Sequence, residues 1–186
     1  MAMSLLVILR CFPRSVWLAG ACWLAACSSA WSQTVLDNAA LLGLSREQVA
    51  ATTPDAQPVR APRRLSSGAL GLLRVPDALC EGAHFEQTLF FAQQKLAQMD
   101  LVLLNPASGP GSEAAMAQVH QALLQSLRAR LGPELAAFGT APGALADTAS
   151  WVAADADVML FRSGRADHPS LRLVIKQRQL ADASEL

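Results

Sequence analysis

The feature that most restricts the fold is a change of hydrophobic period that occurs twice along the chain: a helix-like stretch, then three segments that alternate apolar and polar. In the first round, Ser45 stands three residues before Gln48. At that spacing a serine hydroxyl accepts from a backbone amide and the glutamine reaches back, which predicts a short helix over 45–52. Pro54, Pro58 and Pro62 forbid its continuation and give an extended link. Strands are then expected over 69–75, 85–92 and 95–104. The second sets Phe85, Gln87, Leu89 and Phe91 opposite Glu86, Thr88 and Phe90; the third sets Ala97, Met99, Leu101 and Leu103 opposite Gln98 and Asp100. Gln93 and Gln94 between them make a hairpin turn, whose type the pair does not fix, since Gln-Gln lacks the left-handed preference of Asn-Gly.

The second round follows a loop over 105–111. Ser112 and Glu113 start a helix whose apolar stripe is Met116, Val119, Leu123, Leu124, Leu127 and Leu131. Gly132 and Pro133 interrupt it, and 134–138 adds a turn. Strands are expected over 150–154, 157–163 and 170–177, with 164–169 connecting the last two. In the final strand Leu171, Leu173 and Ile175 alternate with Arg172 and Lys176, the pattern of an edge or near-edge strand with one face buried. The order predicts an α+β fold with helices packed on one face of an antiparallel sheet, built from two repeated helix-β-β-β units of about 41–104 and 112–178.

The N-terminal segment fixes the compartment. Arg10 and Arg14 precede an apolar run over 15–26, which has the length of a signal-peptide core and is short for a bilayer span. Two cleavage sites compete. Leu24-Ala25-Ala26-Cys27 matches a lipobox, which would make lipidated Cys27 the new N-terminus; Ala30-Trp31-Ser32 matches an ordinary signal-peptidase site before Gln33. The signal peptide is therefore 1–32, or 1–26 if Cys27 is lipidated, and 33–186 forms a single α+β domain. The protein is expected in the periplasm, either soluble or tethered to the outer membrane.

Loss of that segment leaves Cys80 without an intramolecular disulfide partner, which excludes a disulfide-stapled scaffold. Of 15 basic and 15 acidic residues, removal of Arg10 and Arg14 leaves 13 against 15, a net charge of −2. Such a balance gives no nucleic-acid footprint, and the membrane is reached only through a lipid anchor. No cofactor is implied.

Gly43-Leu-Ser-Arg-Glu-Gln-Val49, Phe90-Phe-Ala-Gln-Gln-Lys-Leu96, and Leu135-Ala-Ala-Phe-Gly-Thr-Ala-Pro-Gly143 with Trp151 beyond it together resemble the small periplasmic proteins of the SmpA/OmlA and beta-lactamase-inhibitory-protein-like fold. The resemblance covers about 41–177. Phe138 stands where the family usually has tyrosine, and an extra residue separates Gly139 from Pro142. The resemblance implies a non-catalytic scaffold that binds other proteins or envelope components.

Catalytic patterns are thin. Cys80, Glu81 and His84 have a spacing that would suit a metal or a thiol with a base, the basis for an alternative reading as a small periplasmic hydrolase or metal-handling protein. The plainer reading is a buried cysteine beside a solvated histidine, with no metal site. His120 and His168 read as surface histidines, and Asp155 and Asp157 as turn residues. The 108–112 stretch lacks the Gly-Lys-Ser/Thr of a phosphate loop and reads as a connector. Arg60, Arg63 and Arg64 are the one concentrated positive feature, which would suit docking of an acidic partner or lipid headgroups; the plainer reading is a solvated arginine-rich loop. The sequence thus points to an exported binding or scaffold protein that uses an exposed sheet face or edge.

Overall fold

The computed structural model describes residues 35–104, 112–135, 147–165 and 168–178. The expected export segment with Cys27, the 105–111 loop and the Phe138 to Gly143 motif lie outside them. The elements are α1 (Val35–Ala39), α2 (Arg46–Thr52), β1 (Gln57–Pro58), β2 (Leu70–Cys80), β3 (Ala83–Ala92), β4 (Lys95–Leu103), α3 (Ser112–Leu131), β5 (Asp147–Ala153), β6 (Ala156–Arg165) and β7 (His168–Gln177). The fold is α+β: three helices on one seven-stranded antiparallel sheet of order β1-β2-β3-β4-β7-β6-β5. Three long strands recur in each half. The first half adds α1 and the two-residue β1, so the repeat is not strict.

Local chemistry accounts for most boundaries. Ser45 caps α2 through a complete capping box: its hydroxyl accepts from the Gln48 amide, and the Ser45 amide donates to Gln48 Oε1 at 2.8 Å. Gly43 (φ 81°) turns the chain before that helix, placing its amide 2.8 Å from the Leu96 carbonyl, while the Leu96 amide returns to Leu44. The β2–β3 hairpin turns at Glu81 (φ 49°) and Gly82 (φ 80°), and β3–β4 at Gln93 (φ 48°) and Gln94 (φ 65°). Positive φ at both central residues is the mirror-type turn that matches strand twist, so the glutamines adopt it without the residues that favour it. Gly132 (φ 84°) ends α3, and its carbonyl accepts from the Trp151 indole at 3.1 Å.

Three expectations are corrected. β2 runs past Val75 and Pro76 to Cys80, because a register shift between Val75 and Ala78 leaves the proline outside the ladder, where its missing N–H costs no strand bond. β6 and β7 pair out to Arg165 and His168, so most of the expected 164–169 connection is strand. β7 is not an edge. It lies between β4 and β6, joining the halves through Met99 opposite Ile175 and Leu101 opposite Leu173.

The core lies between the sheet and the helices. Leu73, Phe85, Leu89, Met99, Leu101, Val158, Leu160, Leu173 and Ile175 face Val49 of α2 and the α3 stripe of Met116, Leu123, Leu124 and Leu127. Burying such side chains contributes about 1.5–3 kcal/mol each before entropy is counted. Two polar ties fix helices to this face. Asn38 of α1 is buried, accepts from Gln87 Nε2 at 3.0 Å and donates to Cys80 Sγ at 3.8 Å. Glu81, at the hairpin tip, accepts from Ser126 of α3 and lies 3.4 Å from Arg130.

Candidate functional site

Because side chains alternate across a strand, the second face of the sheet is defined by register, and among the described residues no helix covers it. Three cross-strand rows run over it. Phe90, Gln98, Lys176 and Asp157 form one; Thr88, Asp100, Val174 and Met159 the next; Glu86, Val102, Arg172 and Phe161 the third. Opposite charges meet along the first row, Lys176 with Asp157, and diagonally between the second and third, Asp100 with Arg172, so the charged members of β4, β6 and β7 offset one another across the ladder.

The centre of this face is Asp100, whose side chain is 2% exposed. Its Oδ2 accepts from Arg63 at 3.0 Å and from Arg172, and its Oδ1 accepts from Gln98 Nε2 at 2.7 Å. Those donors offset the loss of water around a carboxylate held at the middle of the sheet. Arg63 arrives from the segment along the outer edge of β2, where its carbonyl accepts from the Gly71 amide at 2.9 Å. Its guanidinium lies 5.1 Å from the Phe90 ring centroid. Gly71 makes room below: a Cβ there would sit 3.0 Å from Thr88 Cγ2 and 3.1 Å from the Phe90 ring.

Beside this cluster, the 65–69 turn, Ala97 and Gln98 of β4, Arg172 and Lys176 of β7, and Asp157 of β6 border a polar groove of about 590 Å³. Lys176 Nζ lies 3.8 Å and Arg178 Nε 4.0 Å from the Asp157 carboxylate, close enough for attraction but too long for hydrogen bonds. A second cleft of about 380 Å³, between α1 and the β5–β6 turn, is walled mainly by alanines.

The candidate residues of the sequence fare unequally. Arg60, Arg63 and Arg64 do not act as one free patch: Arg63 is held by Asp100 and Phe90, Arg64 donates to the Gly68 carbonyl at 3.4 Å, and Arg60 is exposed. Cys80 and His84 are not brought together. They pair with Ala83 and Leu79 across the hairpin, which puts Cys80 in the core and His84 on the opposite face, 2.6 Å from Asp77 Oδ1. Burial, with Glu81 adding to it, pushes the Cys80 thiol up to about 12, far from the thiolate that a nucleophile or ligand requires. Among the described residues no group of three metal-ligating side chains forms. Asp155 sits in the β5–β6 turn as expected, whereas Asp157 lies in β6 and faces the groove.

His120 is a further correction. It is 1% exposed, inside the α3 stripe, and neither ring nitrogen has a hydrogen-bond partner among the described residues. The signal was present, since His120 follows Met116 and precedes Leu124 by four residues each. Asp100, Arg172, Lys176 and Asp157 escaped the sequence reading as a group, because only strand order makes them neighbours. No known family, curated protein or solved structure matches the chain.

Proposed function

We propose that the chain is an exported, non-catalytic binding protein of the bacterial envelope, periplasmic and either soluble or tethered to the outer membrane through Cys27, that engages another protein or envelope component through the helix-free face of its sheet. The observation that carries this reading is the face itself. A seven-stranded sheet places all three helices on one side and leaves on the other a charged groove beside Val102, which is 43% exposed, and the half-buried Met159 and Phe161. Apolar side chains ringed by ion pairs are the composition of a recognition surface. The family resemblance of the sequence supports the same reading, since it implies a binding scaffold, and so does the separation of Cys80 from His84, which puts the expected base on the other face of the sheet from the thiol.

The test is photo-crosslinking in cells with a benzophenone residue at Val102 or Phe161, and at Gln121 on the exposed side of α3 as control. Discrete adducts from the first two positions and none from the third are expected. Equal labelling from all three, or adducts from Gln121 alone, would refute the assignment of the face. Intact mass after membrane fractionation reads the N-terminus directly: a diacylated chain beginning at Cys27, or an unmodified one beginning at Gln33. A full-length cytoplasmic chain contradicts export.

A further inference from the structure

We infer that the groove between the 65–69 turn and strands β4, β7 and β6 is a binding site for a phosphate-class oxyanion; this rests on the reading of the helix-free face as the binding face. The argument is one of charge and of open donors. Arg172, Lys176 and Asp157 line the groove with a net charge of +1, and with Arg63, Arg178 and Asp100, which join them through ion pairs just outside it, the surrounding cluster holds four cations against two carboxylates, an excess of two. A phosphate monoester near neutral pH carries a charge of about −1.5 to −2, which balances it.

Asp100 already accepts from three donors, which leaves it about one further acceptor site for the remaining donors of these cations. A guanidinium has about five N–H donors, and among the described residues Arg172 places its one hydrogen bond on Asp100. Lys176 stands 3.8 Å from Asp157 and makes no hydrogen bond there, so its ammonium donors open onto the groove. Ser66 and Ser67 of the facing turn border the same space with two more hydroxyl donors. A planar fork, a compact ammonium and hydroxyls around one cavity match an oxyanion with three terminal oxygens. The groove, about 590 Å³, has room for a phosphate group.

The experiment is a titration of the isotope-labelled processed chain with inorganic phosphate at low salt, followed by backbone amide shifts, and then with vesicles carrying phosphatidic acid, whose headgroup is a phosphate monoester, against phosphatidylcholine vesicles. Saturable shifts confined to Ser66, Ser67, Arg172 and Lys176 are expected, weakening with added salt. Lys176→Gln is expected to weaken binding at least tenfold, and Asp157→Asn, which removes a competing carboxylate, to tighten it several-fold; a misfolded variant would not tighten. Binding of free phosphate supports a soluble ligand, and binding of phosphatidic acid vesicles alone supports a lipid headgroup. Absence of both, shifts scattered over other cations, or an unchanged Lys176→Gln affinity would overturn the site. If it fails while crosslinks persist at Val102 and Phe161, the oxyanion falls and the binding face stands.

Discussion

His120→Leu is expected to stabilise the protein, most of all at acidic pH. The imidazole lies under α3 with both nitrogens unpartnered, and the charged groups facing it are Arg128 on the same helix, Asp147 of β5 and Arg162 of β6, the last held 3.6 Å from Glu113. Burying one donor and one acceptor without partners costs about 1–3 kcal/mol per group, part of which relaxation recovers. An apolar side chain of similar volume should therefore return about 1–2 kcal/mol. The pH dependence adds to this. Burial holds the His120 pKa below its ordinary 6.5, so the unfolded chain takes the proton first as pH falls. Stability is intact above that value and is lost on acidification through it toward the native pKa, with a slope of at most about 1.4 kcal/mol per pH unit. Urea unfolding followed by tryptophan fluorescence at about pH 8 and about pH 5.5 reads both effects, and the leucine variant should lose this share of the slope. A lower midpoint at the alkaline pH, or slopes that remain parallel, would show that the histidine has partners and refute the reasoning.

Cys80 should resist iodoacetamide in the native state at about pH 8 and react on denaturation, since its thiol is buried and pushed up to about 12; native labelling by mass spectrometry would contradict its place in the core. Gln94→Gly should raise stability by about 1 kcal/mol by relieving the left-handed backbone at φ 65°, and an unchanged thermal midpoint would dispute the turn. Asp100→Ala should cost about 2–3 kcal/mol, because three donors lose their acceptor; the estimate is kept low because the side chains of Arg63 and Arg172 are 62% and 38% exposed and can turn to water. Hydrogen exchange should rise at the Gly71 amide in that variant, and unaltered protection there would mean that Arg63 does not tether its segment.

The fold was legible where a side chain answers to its own neighbours in sequence. Ser45 and Gln48 announce α2, and Phe85, Leu89, Met99 and Leu101 announce the buried faces of β3 and β4. β7 was misjudged for a physical reason. Arg172 and Lys176 read as the polar side of an edge or near-edge strand, but their charges are met by Asp100 and Asp157 on the strands at either side, on a face that no helix covers among the described residues. Charge alternation reports a face and is silent about position in the sheet. Pro76 concealed the second half of β2, because a proline ends a ladder unless a bulge takes it. His120 was lost to residue type, although its spacing placed it in the stripe. The candidate site was the least legible part, since β4, β6 and β7 become neighbours only when the halves join.

That junction sets how the two halves depend on each other. Each contributes its last strand, β4 or β7, to a single antiparallel seam at the middle of the sheet, with Gln98 to Val102 laid against Lys176 to Arg172. Cut at the connecting helix, either half would end in a long strand with one row of amides and carbonyls bare, a template for any extended chain. Joined, each half blocks the other's sticky edge at the high local concentration that a covalent tether provides. The seam makes the protection of each half's last strand conditional on the presence of the other half.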